Sequence, residues 1–504
     1  MTYVAVPKEI DSRNVVSKGY SFSSKQYEKV VCKNSNTISV RDFLLRDLSN
    51  NDLGSEIGSA NYIYKSPFKF IRTKALQDHS FLPEISEETI VPMMPREFIQ
   101  MNLQEGDILI SKDSNIGEAV ILDKDYPEYM ISGAIYRLPI KERKYYLLAF
   151  IKHDFFRQQL DLLVPKGATI RHAKTLFLDC FIPIPNHDEE YVIKYVELLT
   201  ISIINKEKEI RKKHAIIQND ILNELKSNQL TRQFTFDYPS IDEVRSIGRL
   251  DTSRYTKEYK EFEFLISNYI HGKSNLSELG YSVLRGQNLQ ETAIGKSYYS
   301  DKYVKGFYKL AVSSNFSEYS TLQKFIYLGN ERKLKSIEKD DIIFSCRGAQ
   351  FGRVVMFPYE INAITNIDNV HIKNNNARLS EKVFITMFLN LLRWNKHIYK
   401  IALTGSGANS LTKYQFNEIN FPNFPEQIQG RIAAFYHSPE IKMNTNNLNV
   451  SNFLERDKEF EQKAGVVQLD IQLKKVKDRL NDVIDSIIND RKVTVDFEFL
   501  DNNI

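Results

Sequence analysis

Two polar loops in this sequence carry side chains suited to recognising another molecule. The first loop lies within EGDILISKDSNIGEAVIL (residues 105–122), and the second lies within KDDIIFSCRGAQFGRVVMF (residues 339–357). Arginine can pair with guanine, asparagine and glutamine can pair with adenine, and lysine can bind phosphate. The loops therefore suit DNA contact, with a solvated hairpin tip as the alternative. The candidate side chains are Lys112, Asn115, Arg347, Gln350 and Arg353.

A second pair of polar segments is KGATIRHAK (residues 166–174) and TGSGANSLTK (residues 404–413). Glycine beside basic and hydroxyl side chains suits a loop pressed against a DNA backbone. A turn that leads into the next helix has equal weight, and GSGANS lacks the pattern of a nucleotide-binding loop. The candidate side chains here are Lys166, Arg171, Lys174, Ser406, Asn409 and Lys413.

A third pair of segments, FIRTKALQD (residues 70–78) and VLRGQNLQE (residues 283–291), aligns without gaps and shares an arginine and a Leu-Gln step. These side chains could contact bases or phosphates. Pairing of each arginine with a carboxylate of its own domain is at least as well supported. The candidates are Arg72, Lys74, Arg285, Gln287 and Asn288.

The three pairs of segments occur in the same order along the chain, which predicts an internal duplication. In the first pair, each copy has an apolar run that ends in serine, a polar loop, a glycine and another apolar run. This pattern predicts a strand, a loop and a strand. Apolar residues at every third or fourth position predict helices over residues 145–164 and 383–403. The predicted fold class is α+β, with two tandem mixed α/β domains.

Long helical patterns follow each copy of the repeat. Residues 188–225 contain no glycine or proline, and a regular heptad pattern runs over residues 466–487. Two such seams would bury their apolar side chains by pairing as an antiparallel coiled coil between the domains; a helix packed on its own domain is the alternative. The seam residues are Val196, Leu199, Ile203, Ile210, Leu469, Leu473, Val476 and Leu480. The predicted divisions are a first domain over 1–187, a helix over 188–230, a second domain over 231–425, and a helical region over 426–504 with an Asn-rich break near 444–452.

Composition excludes several classes of protein. The three cysteines and nine histidines are too scattered for a zinc site, so we expect free thiols and no metal. No apolar run reaches the roughly 18 residues that cross a bilayer, and no N-terminal signal region is present, which predicts a cytoplasmic protein without a membrane contact. The net charge of +4 permits a nucleic-acid partner without requiring one.

Taken together, the repeat and the helices resemble the specificity (S) subunit of type I restriction-modification systems. PNFPEQIQGRIAAF (residues 422–435) resembles the family's Pro-x-x-Glu-Gln junction into the spacer helix, whereas the first junction, PIPNHDEEYVIKYV, lacks the Glu-Gln. The likeness, which extends to divergent members from related methylation-linked defence systems, implies a non-catalytic subunit that reads a bipartite, asymmetric sequence in double-stranded DNA. It also implies partners: adenine methyltransferase subunits that use S-adenosylmethionine, with or without a restriction subunit, in defence against phage. The chain itself would hold no cofactor.

Two other functions stay open at this point. A two-domain scaffold that binds only proteins is compatible with the modest net charge. A stand-alone DNA-modifying enzyme is less well supported, because the sequence has neither an Asn/Asp-Pro-Pro-aromatic adenine pocket nor a carboxylate cluster with lysine for metal-dependent cleavage.

Overall fold

The computed structural model describes residues 2–164, 172–231, 233–250, 252–402 and 409–501. It divides into two compact units. The first comprises residues 1–209, 443–462 and 471–504, and the second comprises residues 210–442 and 463–470. Among the described residues, no helix combines the length and apolar character needed to cross a membrane.

The first unit is built on short strands arranged in small sheets. Its strands are β1 (Val4–Ala5), β2 (Lys29–Val30), β3 (Thr37–Ser39), β4 (Lys69–Ile71), β5 (Ile90–Pro92), β6 (Ile108–Ser111), β7 (Ala119–Ile121), β8 (Tyr129–Ile131), β9 (Ile135–Leu138) and β10 (Phe181–Pro183). One sheet has the order β7-β6-β9 and another has the order β5-β4-β8. All four residues of β6 are buried, which explains its continuous apolar run.

The second unit repeats these sheets and extends them. Its strands are β11 (Lys273–Asn275), β12 (Ser282–Arg285), β13 (Ser297–Ser300), β14 (Tyr308–Ala311), β15 (Ile326–Asn330), β16 (Ile342–Ser345), β17 (Val354–Met356), β18 (Ala363–Thr365), β19 (Asn369–Lys373) and β20 (Asn420–Pro422). The sheet orders are β12-β19-β16-β17 and β13-β15-β14-β18. In both units the central antiparallel sheet packs beside a sheet that contains one parallel pair, β4 with β8 and β14 with β18.

Helices occur between and after the strands of both units. They are α1 (Ser12–Ser17), α2 (Lys144–Lys152), α3 (Asp154–Leu163), α4 (Glu189–Ser227), α5 (Ile241–Ile247), α6 (Lys257–Ser267), α7 (Glu291–Ile294), α8 (Leu379–Trp394), α9 (His397–Ile401), α10 (Glu426–Tyr436), α11 (Phe453–Lys463) and α12 (Val466–Ile488). The mixture of helices and sheets confirms the predicted fold class.

Each helix predicted inside a domain is in fact two helices. His153 adopts an extended backbone between α2 and α3, and its ring nitrogen accepts a hydrogen bond from the Phe155 amide, so it starts the second helix as a cap. In the second unit Lys396 has a left-handed backbone (φ 57°) between α8 and α9. Periodicity alone did not reveal either break, because the apolar spacing continues across both.

The long helical patterns are α4 and α12, and their apolar seams are buried. Among the predicted seam residues, Val196, Leu199, Ile203, Leu469 and Val476 are all completely inaccessible to solvent. The Asn-rich segment separates α10 from α11. The three cysteines are free, as predicted. Pairing of the two seams as a coiled coil remains a prediction.

The strand pairing corrects one alignment made from the sequence. Residues 70–78 begin in β4, and the equivalent strand in the second unit is β14, because each pairs in parallel with the strand before the turn that leads to β9 or β19. Residues 283–291 begin in β12 instead. Arg72 therefore corresponds to Val312 and not to Arg285. The shared arginine and Leu-Gln step come from different strands, whose register is set by backbone hydrogen bonds.

Candidate nucleic-acid interface

In the first unit, the polar loop after β6 is held by backbone hydrogen bonds on three sides. The Lys112 amide donates to the Ala134 carbonyl (2.9 Å), and the Lys112 carbonyl accepts from the Ala173 amide (2.8 Å). The Gly117 amide closes the loop onto the Ser111 carbonyl (2.9 Å). Gly117 has φ +78°, which favours glycine at this turn. The loop therefore has one backbone position relative to the sheet.

The second unit holds its loop after β16 with the same three bonds. The Cys346 amide donates to the Asp368 carbonyl (2.9 Å), and the Leu411 amide donates to the Cys346 carbonyl (2.9 Å). The Gly352 amide closes onto the Ser345 carbonyl (2.8 Å), and Gly352 has φ +81°. We call this arrangement the loop lock in both units. It joins the first and second pairs of polar segments that the sequence had suggested separately.

The side chains around the first loop lock are charged and partly accessible. The Asp113 carboxylate lies 2.6 Å from Nδ1 of His172 and 3.3 Å from Nζ of Lys112. The Asn115 amide nitrogen donates to the Leu76 carbonyl (3.1 Å), so this side chain positions the segment after β4. Lys174 is exposed and has φ +48°.

Arg72 and Lys74 lie beside this loop, since Asn115 contacts the short 3-10 helix (Thr73–Ala75) that contains Lys74. The Arg72 guanidinium donates to the Glu88 carbonyl (3.0 Å), and Lys74 forms an ion pair with the Glu88 carboxylate (3.2 Å). Both cations thus have partners in their own unit. The Lys74 and Glu88 side chains are mostly exposed, so their pair contributes little to stability and leaves Lys74 accessible.

The second loop lock brings Arg285, Gln287 and Arg347 together. The amide of Gly286, between the first two, donates to the Asn369 carbonyl (3.1 Å) at the start of β19, opposite the strand that leads into Arg347. Nε of Arg347 lies 3.6 Å from the Asp368 carboxylate, and both side chains are about two-fifths exposed. Arg285 is exposed at the end of β12.

The other candidates of the second unit differ in accessibility. Asn288, Gln350 and Asn409 are half-buried, and Lys413 is exposed. Arg353 is buried: it donates to the Glu318 carboxylate (2.6 Å) and to the Phe316 carbonyl. Burial raises the pKa of Glu318, but the guanidinium groups of Arg393 and Arg353 outweigh it and hold that pKa below its usual value. Arg353 therefore lies inside the unit, away from the accessible loop surface. Lys166, Arg171 and Ser406 lie outside the described residues.

Sequence reasoning missed an exposed group of lysines and tyrosines on and after β13, within KSYYSDKYVKG (residues 296–306). The alternation of basic and aromatic residues is a visible signal for nucleic-acid contact. It escaped notice because the segment has no partner in the repeat. No group of three or more His, Cys, Asp or Glu residues suited to a metal ion occurs in the described part of the chain.

Comparison with protein families gives a match that includes the second loop lock. Residues 286–460 match the model of the type I restriction modification DNA specificity domain. Most of the matched stretch lies in the second unit, which is therefore similar to a type I DNA specificity domain. The match confirms the resemblance drawn from the sequence, and the specificity domain spans β13, the loop after β16, and the segment around Lys413.

Two of the solved structures similar to this chain are described as S or HsdS subunits. The S subunit from M. genitalium shares 12% identity, with 92% of this chain and all of that chain covered and a TM-score of 0.40. The HsdS subunit from Thermoanaerobacter tengcongensis shares 11%, covering 90% and 96%, with a TM-score of 0.27. A chain from a study of assembly and conformational transition of the type I R-M system shares 12%, covering 91% and 99%, also with a TM-score of 0.27. No curated protein sequence matches this chain.

Proposed function

We propose that this chain is the DNA-recognition subunit of a type I modification complex, and that each unit reads one part of a bipartite target. The observation that carries the proposal is the loop lock, which occurs in both units with the same three backbone bonds. A rigid backbone that presents cations and amides suits base and phosphate contact. The family match to the second unit supports DNA as the ligand.

The two halves of the target should be unlike, because the loop locks present different side chains. The first presents Lys112 and Lys174, with Lys74 nearby, which favours phosphate contacts. The second presents Arg285, Gln287 and Arg347, which can pair with guanine or adenine edges. Arg353 has no direct part in this proposal since it is buried.

We propose that the chain is non-catalytic and directs adenine methyltransferase subunits, which use S-adenosylmethionine, to the target in the cytoplasm. A restriction subunit can join such a complex for defence against phage. The buried seams of α4 and α12 are the proposed antiparallel coiled coil between the two recognition domains, and their outer faces are the proposed docking surface for the methyltransferase. In this scheme the recognition domains extend over residues 1–187 and 231–425.

Long-read mapping of methylated adenine in the host genome tests this proposal. Deletion of the gene should abolish methylation at one bipartite motif, and the wild-type gene on a plasmid should restore it. Restoration with Arg347→Ala should lower methylation of the motif, or relax the sequence that is required at one half of it only. An unchanged methylome on deletion would contradict the proposal. Methyl transfer by the purified chain alone would contradict the non-catalytic assignment.

A further inference from the structure

The sheet that contains β14 ends in a four-residue edge strand, β13, where the described part of the first unit has only an isolated antiparallel bridge between Tyr62 and Met93. The first unit has the order β5-β4-β8, and the second has β13-β15-β14-β18. β15 and β14 correspond to β5 and β4, since each forms the antiparallel pair beside the parallel one. β13 is added outside β15 with four paired residues.

The added strand belongs to a segment with a strong positive charge. Residues 296–335 contain eight Lys and Arg residues but three Asp and Glu residues, whereas the corresponding residues 56–101 contain five and six. One of the three acids, Glu318, is held between two buried arginines and does not offset the surface charge. The exposed cations are Lys296, Lys302, Lys305, Lys324, Arg332, Lys333 and Lys335. The formal net charge of this segment alone is greater than that of the whole chain.

Aromatic side chains stand among these cations. Tyr298, Tyr299 and Tyr303 are 54%, 57% and 68% exposed, respectively. Nζ of Lys296 lies 5.4 Å from the centre of the Tyr298 ring. A group of exposed aromatic rings on an edge strand is typical of a binding surface. The tyrosine hydroxyl groups can donate hydrogen bonds to phosphate oxygens. Lys296 and Lys302, which flank β13, oppose pairing with a second protein strand, so a polyanion fits this surface better than another sheet edge.

A series of hydrogen bonds connects this edge to the second loop lock. The Gln287 side-chain oxygen accepts from the Lys335 amide (3.2 Å). The Arg332 guanidinium donates to the Ala293 carbonyl (3.1 Å), and the Asn330 amide group donates to the Lys296 carbonyl (3.2 Å). Lys335, at the end of the basic segment, therefore lies beside Gln287, a candidate base-reading residue. Hydrogen bonds within the segment connect this end to β13.

We propose that Lys296, Tyr298, Tyr299, Lys302, Tyr303 and Lys305, which we call the lysine–tyrosine edge, bind the phosphate backbone of duplex DNA next to the half-site of the second unit. The inference rests on the proposed function and extends it, because this contact reads no bases. It lengthens the DNA segment held by the second unit relative to the first. The contact should therefore raise affinity for all duplexes equally and leave the target sequence unchanged.

Salt titration of the full-length chain with a pool of random-sequence duplex DNA tests the edge. Each lysine that neutralises a phosphate adds about 0.9 to the slope of log affinity against log salt, so Lys296→Ala, Lys302→Ala and Lys305→Ala combined should lower the slope by about 2–3. Affinity near 0.1 M salt should fall by about two orders of magnitude. The matched control combines Lys226→Ala, Lys257→Ala and Lys442→Ala, three exposed lysines of the same unit, and should keep the wild-type slope.

A second measurement needs no substitution. Acetylation of lysines on the wild-type chain, read by mass spectrometry, should show protection of Lys296, Lys302 and Lys305 by the duplex pool and no protection of the three control lysines. An unchanged slope in the triple variant, or equal loss in the control, would overturn the edge proposal while the proposed function stands. Protection of the three edge lysines by a protein partner, with no protection by DNA, would also overturn the edge proposal. Absence of any duplex binding by the wild-type chain at low salt would overturn both.

Discussion

The two units hold their loops with the same backbone hydrogen bonds, but the residue that follows the loop and pairs with the serine before it has opposite charge in the two units. The Ser111 amide donates to the Glu118 carbonyl, and the Ser345 amide donates to the Arg353 carbonyl, so these two residues are equivalent. Glu118 accepts from Arg157 (2.5 Å) and lies 3.5 Å from Lys152. Arg353 instead faces Glu318. Each unit thus balances a buried charge with its own partners.

This difference shows which features the two copies of the repeat share. Backbone pairing places the loop, so it recurs in both units. A buried charge must be compensated, but either sign can stand at the position if its neighbours change with it. The surfaces have diverged further, since a four-residue strand pairs with the outer side of β15 in the second unit, whereas only the bridge between Tyr62 and Met93 lies at the equivalent edge of the described part of the first.

The largest expected effect tests the corrected alignment of the two units. A Cβ at Gly54 would lie 2.2 Å from the Ile131 carbonyl oxygen, and a Cβ at Gly286 would lie 2.1 Å from the Asn366 carbonyl oxygen. Gly54→Ala and Gly286→Ala should each destabilise their own unit by about 3 kcal/mol or more, because two backbone segments must separate. Hydrogen exchange would locate the loss to the strand beside each glycine. Gly430→Ala in α10, where a Cβ meets no atom within 4 Å, should stabilise by about 1 kcal/mol.

The next effect concerns the opposite charges. Arg353→Met should cost about 3–5 kcal/mol, because Glu318 is buried and the Phe316 carbonyl loses its donor. Glu118→Gln should cost about 1–2 kcal/mol, because Lys152 keeps the Gln77 and Ala119 carbonyls as acceptors. Urea denaturation of both variants measures the difference. Equal losses in the free energy of unfolding for the two variants would contradict the expected difference between the two charge clusters.

A smaller effect concerns the pH dependence of stability that two buried groups confer, Glu461 in the first unit and His214 in the second. Burial raises the pKa of Glu461, which lies beside the buried Lys206 of the first unit, to about 7. The folded state then holds a proton that the unfolded state loses above about 4.5, so stability falls as pH rises from about 4.5 to about 7, by about 3 kcal/mol at most. Glu461→Gln should remove this fall, as measured by urea denaturation across that range.

His214 in the second unit should respond in the opposite direction to Glu461. Burial lowers the pKa of His214 to about 4, although its ring lies 2.7 Å from the Asn390 side-chain oxygen. The unfolded state then binds a proton below about 6.5 that the folded state rejects, so stability falls as pH drops towards about 4. His214→Gln should reduce this acid sensitivity without abolishing it, because burial also lowers the pKa of His371 in the second unit to about 4. An unchanged slope in His214→Gln would contradict the contribution of His214.

The smallest effect compares the loop locks on DNA. Lys112→Ala should weaken binding of all duplexes alike and reduce the salt slope by about 1, as expected for a phosphate contact. Arg347→Ala should cost about 1–2 kcal/mol on the target duplex alone, as expected for a base contact. Binding of both variants to target and random duplexes measures this. Equal losses on both probes for Arg347→Ala would make it a phosphate contact.

The sequence predicted the elements whose signals are local. The apolar run of β6 and the one of β16, the polar loops that follow them, and the long heptad patterns can all be read from neighbouring residues. The family resemblance followed from the order of these blocks. The break at His153 and the burial of Arg353 could not be read, because both depend on contacts between segments far apart in the chain.

By itself the amino-acid sequence determined that two related α+β units alternate with long apolar helices, since periodicity and repeated motifs are properties of adjacent residues. Only the tertiary structure decided that the two polar segments of each unit meet in one loop lock, that Arg72 and Arg285 are not equivalent, and that Glu118 and Arg353 are. The physical reason is that these relations are set by backbone hydrogen bonds across strands, which any side chain permits and no short motif records.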